Sequence, residues 1–467
     1  MNLLKHVLNI LFSTKVTGTL LIIFASSMAI ATFIENDYNT ETAKALVYNA
    51  TWFEVLLLLI SANFIGNIYK YKLFSWKKAP IFLFHIAFII IILGAGITRY
   101  RGYEGLITIK EGELNDKMVS VDSYIQAQVS NGNIVTNFIS SPLFMSELGS
   151  NTFQKEIMLD SSLIKINLKK YIPKAKYILE DNKKGKTNLH IVIANNQERK
   201  DFYIEEGTRE HMYGIPISFN YHTPLQNDII IKKKNNQWLI SYPEITDYFD
   251  MLSNKASSFP KDTLIPLQLK VLNNFKGSSL VFNEIRESSK RALISDLSYA
   301  AKKNPESAII LEVASGKITK QITLFGGPGY ANPPTNVFIN GFHLNLRYGS
   351  KVIKLPFNLY LSDFILERYP GSESPSAFYS KLEVQDKNKL FYHTIFMNNV
   401  MNYRGYRFFQ SAYTPDELGT ILSVNHDYWG TLVTYIGYGL LGLGMLLTLL
   451  WKSSHFGTTL TIIKQNH

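Results

Sequence analysis

IFLFHIAFIIIILGAGIT, residues 81–98, holds a single ionisable side chain, His85. A helix crossing a hydrocarbon core needs about 20 mainly apolar residues, so this stretch reads as a membrane span. Three more runs fit the same description: residues 18–34 (GTLLIIFASSMAIATFI), 52–69 (WFEVLLLLISANFIGNIY) and 429–451 (WGTLVTYIGYGLLGLGMLLTLLW). The last carries a tryptophan at each end, as an aromatic belt would place them. Lys5, Lys15 and Ala29-Ile30-Ala31 imitate a cleavable signal around the first run. That run extends past the imitated cleavage site and two further spans follow closely, so it is read as a span.

The rest of the chain is different in kind. Its 467 residues average a mean hydropathy of −0.01, a value ordinary for soluble proteins, because a long polar middle offsets the four runs. There is no cysteine, which excludes disulfide scaffolds, thiol redox chemistry, CxxC metal sites and covalent haem attachment to this chain. The expected fold is therefore four transmembrane α-helices plus one large, mainly β, extracytoplasmic domain. Its domains are residues 1–98 (three spans), 99–428 (the β domain) and 429–467 (the fourth span and a short tail).

Charge gives the orientation. Glu35, Asp37, Glu41 and Lys44 leave the loop between spans one and two acidic, whereas Lys70, Lys72, Lys77 and Lys78 make the next loop basic. Basic loops stay in the cytoplasm, so the N-terminus and the lysine-rich loop are expected inside. Residues 99–428 are then outside, and Lys452 and Lys464 mark a cytoplasmic tail. The formal charge of +11, spread over the chain, makes no nucleic-acid footprint; a mildly basic surface facing anionic lipid is expected.

The middle region reads as short strands between turns: 163–168, 189–194, 228–231, 267–272, 308–313 and 336–342. Helices are expected near 246–255 and 284–301, and Tyr348-Gly349-Ser350 reads as a hairpin turn. The region is expected to be sandwich-like, as one sandwich or two subdomains. It contains no GxSxG, HExxH, P-loop or strand-linked GxGxxG. Phe325-Gly326-Gly327-Pro328-Gly329 reads as a turn. His190, His211, His222, His343, His393 and His426 show no close ligand spacing.

His85 stands apart, because an ionisable group in hydrocarbon costs on the order of 2.5 kcal/mol or more when charged. It is either functional or a neutral imidazole that ties helices together. At 1.5 Å per residue it lies about 7 Å in from Pro80, and Asn63 about 9 Å in from Tyr69. Asn63 is thus at the right depth to orient the imidazole. A neutral imidazole amid Phe and Ile suits haem iron as an axial ligand, whereas bare zinc needs more ligands. Gly94, Ala95, Gly96, Gly437, Gly439, Gly442 and Gly444 allow close approach of a helix or of a flat ring.

Several segments resemble the ResB (CcsB) family of system II cytochrome c biogenesis proteins. They are FHIAFIIIILGAGITRYRGYEG (84–105), ATFIENDYNTETAKALVYNATWFE (31–54), LPFNLYLSDFILERYPGS (355–372), NYRGYRFFQSAYTPDELGT (402–420) and LSVNHDYWGTLVTYIGYGLL (422–441). The resemblance implies a bacterial cytoplasmic-membrane protein that passes non-covalent haem b across the membrane to apocytochrome c. The implied partner is a ResC/CcsA-type subunit, with which this chain forms a haem-exporting cytochrome c synthetase; in some bacteria the halves are fused. The family's membrane histidine falls on His85, which would ligate haem iron together with a histidine of the partner. The Trp-rich WWD motif belongs to the partner half, and the five scattered tryptophans here do not form it. The chain is thus expected to be the non-catalytic half, with no catalytic residue of its own. The alternative is an anchored chaperone domain that holds apocytochrome c without binding haem.

Arg99 and Arg101 follow span three, and Arg99 stands about 21 Å along the helix from His85. No single haem reaches them with its iron on His85. They serve either haem propionates at a later position, where the guanidinium fork suits a carboxylate, or anchor the helix at the headgroups.

Overall fold

Four long helices follow the four apolar runs, each with its ends within a few residues of the expected ones. In this computed structural model, residues 2–160, 162–195, 199–250, 254–296 and 306–451 are described. The helices are α1 (Asn2–Leu11), α2 (Thr14–Asp37), α3 (Thr40–Ala43), α4 (Thr51–Lys70), α5 (Ala79–Arg101) and α6 (Tyr428–Leu450). Of these α2, α4, α5 and α6 are long and apolar enough to cross a membrane. The tail lysines Lys452 and Lys464 lie outside the described residues.

The short helix α1 has no counterpart among the expected elements, being too short to span. Ser13 breaks the chain after it and caps α2, its hydroxyl accepting from the Val16 N–H, which satisfies one of the helix's orphan donors. Within lipid, helices gain little from hydrophobic burial against one another, so small residues that admit close packing decide which pairs form. The α5–α6 pair follows this rule. A Cβ on Gly437 would stand 2.6 Å from Ile91 Cγ1, and one on Gly94 2.8 Å from the Thr434 N. Gly96, Gly439 and Gly442 meet nothing within 4 Å, so only part of the glycine set is used for helix packing.

The chain packs as two units, one comprising residues 1–173 and 303–467 and the other an insertion, residues 174–302. In the first, a ten-stranded sheet is built around two long neighbours, Leu114–Ser130 and Phe342–Arg368. A four-stranded sheet (Gln154–Leu159, Ser162–Ile172, Ser307–Ser315, Ile318–Gly326) joins it around a core that includes Ile125, Ile166, Leu311 and Leu346. The other half of the large sheet curls around Ile107, Leu359, Leu382, Phe408 and Val424. Strand Tyr103–Lys110 continues directly from α5, and strand Gly419–His426, its antiparallel partner, leads into α6. The sheet thus holds the two helix ends side by side.

The insertion is a sandwich of its own. A five-stranded and a six-stranded sheet enclose Ile191, Ile217, Phe219, Ile231, Phe275 and Phe282. Strands Ala175–Asp181 and Ser289–Ser295 pair where the chain enters and leaves it.

Four local expectations are corrected. Tyr348-Gly349-Ser350 is no turn but the middle of the single strand Phe342–Arg368. Gly349 is there because the Tyr330 carbonyl approaches to within 2.3 Å of where a Cβ would sit, at a φ of +127°, a close backbone approach that only glycine permits. Residues 246–250 form a strand that pairs with Lys255–Phe259 rather than a helix. Residues 284–295 finish one strand and supply a second, turning at Glu287-Ser288; the rest of both expected helices, 251–253 and 297–301, lies outside the described residues. Finally, 267–271 is a turn and the strand begins at Leu272.

Candidate functional site

His85 lies on the face of α5 turned toward α4. Its Nδ1 is 2.8 Å from the Ile81 carbonyl oxygen one turn back, and since a carbonyl only accepts, Nδ1 carries the proton. Nε2 is left with its lone pair and no hydrogen-bond partner among the described residues. Phe64 from α4 meets the imidazole edge-on, with centroids 5.2 Å apart, while Phe84 stands 6.3 Å away and Phe88 closes the group against both phenylalanines. The arrangement is a neutral, half-buried imidazole in an aromatic wall with one nitrogen free. Among the described residues no group of three His, Asp or Glu side chains is placed to hold a metal ion. The site therefore offers one unbonded imidazole nitrogen among aromatic rings.

Asn63 does not orient this imidazole. Its amide nitrogen donates to the Leu11 carbonyl at 2.5 Å, and its oxygen accepts from the Thr17 hydroxyl at 2.6 Å and from Asn67 at 3.0 Å. Successive helix residues are rotated by about 100°, as 3.6 residues per turn require, so when Phe64 faces His85 its neighbour faces α2. Asn63 is fully buried and pins α4 to the α1–α2 junction. The backbone carbonyl of Ile81 does the work expected of it.

The two arginines part company as well. Arg99 donates to the carbonyls of Tyr48 (3.3 Å) and Asn49 (2.9 Å) and pairs with Glu54 at 3.4 Å. Tyr100 donates to the same Glu54 carboxylate. This group latches α5 to the start of α4. Arg101 instead lines a cleft of about 340 Å³ with Arg404 and His426, and it has no ion pair or hydrogen bond among the described residues. Sequence reading passed over Arg404 and His426, because neither has neighbours of suggestive spacing. Their only signal was that a strand running back to the membrane ends beside span three.

A half-buried acid was missed as well. Glu41 sits in α3, and burial pushes its carboxyl up to about 7 against the pull of Lys44; Asp122 raises it further and the Met145 N–H lowers it.

Residues 333–427 match the family model described as the ResB-like family. Over 461 residues, 98% of this chain, the sequence is 31% identical to Protein NrfI of Wolinella succinogenes, and it spans 36% of that protein's length. The crystal structure of MucB in complex with MucA(peri) aligns over 65% of this chain and 88% of its own at 8% identity, with a TM-score of 0.09, too low to bear on the fold. The matched segment runs from the hairpin before strand Phe342–Arg368 to the residue preceding α6, and over it the chain is similar to the ResB-like family.

Proposed function

We propose that this chain acts in cytochrome c biogenesis as the ResB-like half of a haem-exporting cytochrome c synthetase. Haem b is its cargo, held without a covalent bond and passed to apocytochrome c. A ResC/CcsA-type membrane subunit is its partner, and the bacterial cytoplasmic membrane its location, with both termini cytoplasmic and the β portion outside. The observation that carries the reading is the His85 imidazole, half-buried in a span with Nε2 free. Haem fits this donor set on one side only: the aromatic wall suits a flat macrocycle, and the Nδ1–Ile81 bond holds the ring with Nε2 in position. A second axial ligand has to come from the partner, which accounts for a half-built site in a chain of this family. What haem supplies is the group to be attached; what this chain supplies is its binding, orientation and shielding from water.

The test is the absorption spectrum of the detergent-purified protein, co-expressed with and without the partner. An imidazole-ligated Soret band is expected with the partner, and His85→Ala should remove or shift it while the protein stays inserted and folded. An unchanged band in that variant sinks the ligand assignment. No band in either preparation favours the chaperone alternative.

A further inference from the structure

The cleft at the Arg101 end of α5 is lined by side chains that keep polar groups unused by the packing around them. Ile97 and Arg101 line it from one face of α5, four residues apart. His426, the last residue of its strand, is stacked on Tyr103 (centroids 4.7 Å, planes 17° apart) and lies 4.3 Å from the Tyr406 ring. The faces of the imidazole are thereby held, yet neither ring nitrogen has a hydrogen-bond partner among the described residues. Gly405 stands at the imidazole edge, where a Cβ would lie 3.3 Å from Nε2; any larger residue would crowd that nitrogen. Arg404 gives Nη1 to Asp386 at 2.9 and 3.1 Å and keeps the rest of its fork free. Tyr428 and Trp429 add exposed aromatic surface at the start of α6. The one acid in the cleft, Asp427, is turned to the helix junction, accepting from the Thr98 hydroxyl at 2.5 Å and from Thr431 at 3.4 Å.

A fixed imidazole with no hydrogen bond to either nitrogen among the described residues, two guanidinium groups and aromatic walls together match one class of ligand, a planar metalloporphyrin bearing carboxylates. The imidazole suits iron, the guanidinium forks suit carboxylates, and the aromatic side chains suit the ring. A lone divalent ion would find too few ligands here. We propose that this cleft is a second haem-binding site on the chain, with His426 as the iron ligand and Arg101 and Arg404 as partners for the propionates. The proposal rests on haem being the cargo, as read above. It is a different site from His85, since Arg101 lies 16 residues, or about 24 Å, further along the same helix.

The experiment titrates ferric haem, and separately its dimethyl ester, into the detergent-purified full chain and follows the Soret band. The proteins are wild type, His85→Ala, His85→Ala with His426→Gln, and His85→Ala with Arg101→Gln. The His85→Ala protein is expected to keep one imidazole-ligated haem, and adding His426→Gln should abolish it. The ester should bind the His85→Ala protein about ten-fold more weakly than haem, since charge-assisted bonds are lost. Arg101→Gln, a change at an exposed and unpaired side chain, should shrink that preference and keeps the test valid should His426→Gln disturb the tyrosine stack. Loss of all haem in His85→Ala alone would overturn the second site and leave the first. Haem retained unchanged with His426→Gln and Arg101→Gln would overturn it too. If Arg101→Gln instead removes co-purifying anionic phospholipid without affecting haem, the cleft is a lipid headgroup site and the proposal fails. Absence of haem binding in the wild-type chain alone would overturn the second site, whereas the His85 reading stands or falls separately on the spectrum of the partner-co-expressed protein.

Discussion

Toward α6, helix α5 presents Ala87, Ile91 and Gly94, and the two backbones approach until Gly437 has no room for a Cβ. Toward α4 it presents His85 and Phe88, whose rings lie 5.2 and 5.4 Å from that of Phe64, edge-on and tilted. The first face is closed by backbone against backbone, which in lipid is how helices gain dispersion contacts without a hydrophobic drive. The second is filled by side chains and leaves a nitrogen free. A binding residue on the first face would be crushed or would prevent packing. On the second it costs little, because nothing there depends on close backbone approach.

The comparison breaks most visibly if the tight face tolerates bulk. Gly437→Leu should destabilise the folded protein by about 1–3 kcal/mol, the usual cost of overpacking, whereas Gly439→Leu, with nothing within 4 Å of its Cβ position, should be near neutral. Thermal melts in detergent measure both. Equal melting temperatures would mean that the α5–α6 seam is not what holds these helices.

Asn63→Ala comes next. It removes the donor that meets the Leu11 carbonyl and the acceptor shared by Thr17 and Asn67, and unmet buried groups cost about 1–3 kcal/mol. Haem at His85 should nevertheless remain, whereas His85→Ala should lose the haem of that site alone, with little change in melting. Haem loss in Asn63→Ala at unchanged stability would restore an orienting role to the amide.

These residues also show what could be read in advance. The spans were legible because length and hydropathy dominate in lipid, and His85 because one ionisable group stood among apolar ones. Depth along a helix was legible too, but rotation about it was not; hence Asn63 was matched to His85 although Phe64 is the residue that faces it. Tyr348-Gly349-Ser350 looked like a turn because glycine has the same signature whether the chain reverses or another backbone comes close. Residues 284–295 are rich in helix formers, yet the ladders of 284–286 with strand Asn188–Ala194 and of 289–295 with Ala175–Asp181 overrode that weak preference. The Arg101, Arg404 and His426 cleft depends on strand Tyr103–Lys110 pairing with Gly419–His426 across some 320 residues, and no local pattern encodes such a pairing.

Glu41 carries the comparison to a half-buried acid outside the spans. Burial holds its carboxyl at about 7 in the folded chain against an ordinary value of 4.5. The fold therefore favours the protonated form. Its contribution to stability is full below about pH 4.5 and is lost as pH rises through about 7, because the raised value belongs to the folded state. Melts across pH 4 to 8 should fall over that window for this group, and Glu41→Gln, which keeps the neutral shape, should flatten the fall. Identical slopes in the two proteins would show that Glu41 does not titrate there.

The smallest expected effect separates the two arginines at the end of α5. Arg99 is a latch: it reaches two carbonyls and Glu54, and the ion pair is a quarter to a third exposed, so solvent screening limits its worth to about 1 kcal/mol or less. Arg99→Gln should lower the melting temperature by a few degrees at most and leave haem binding unchanged. Arg101 has no partner among the described residues, so Arg101→Gln should leave the melt where it is. Its effect should appear only in the affinity for a carboxylate-bearing porphyrin. The pair of variants thus crosses stability with binding, and each serves as the other's control. Haem affinity that follows Arg99 instead would reassign the propionate contact to the latch. It would also make the α4–α5 face, rather than the cleft beside α6, the surface along which cargo leaves His85.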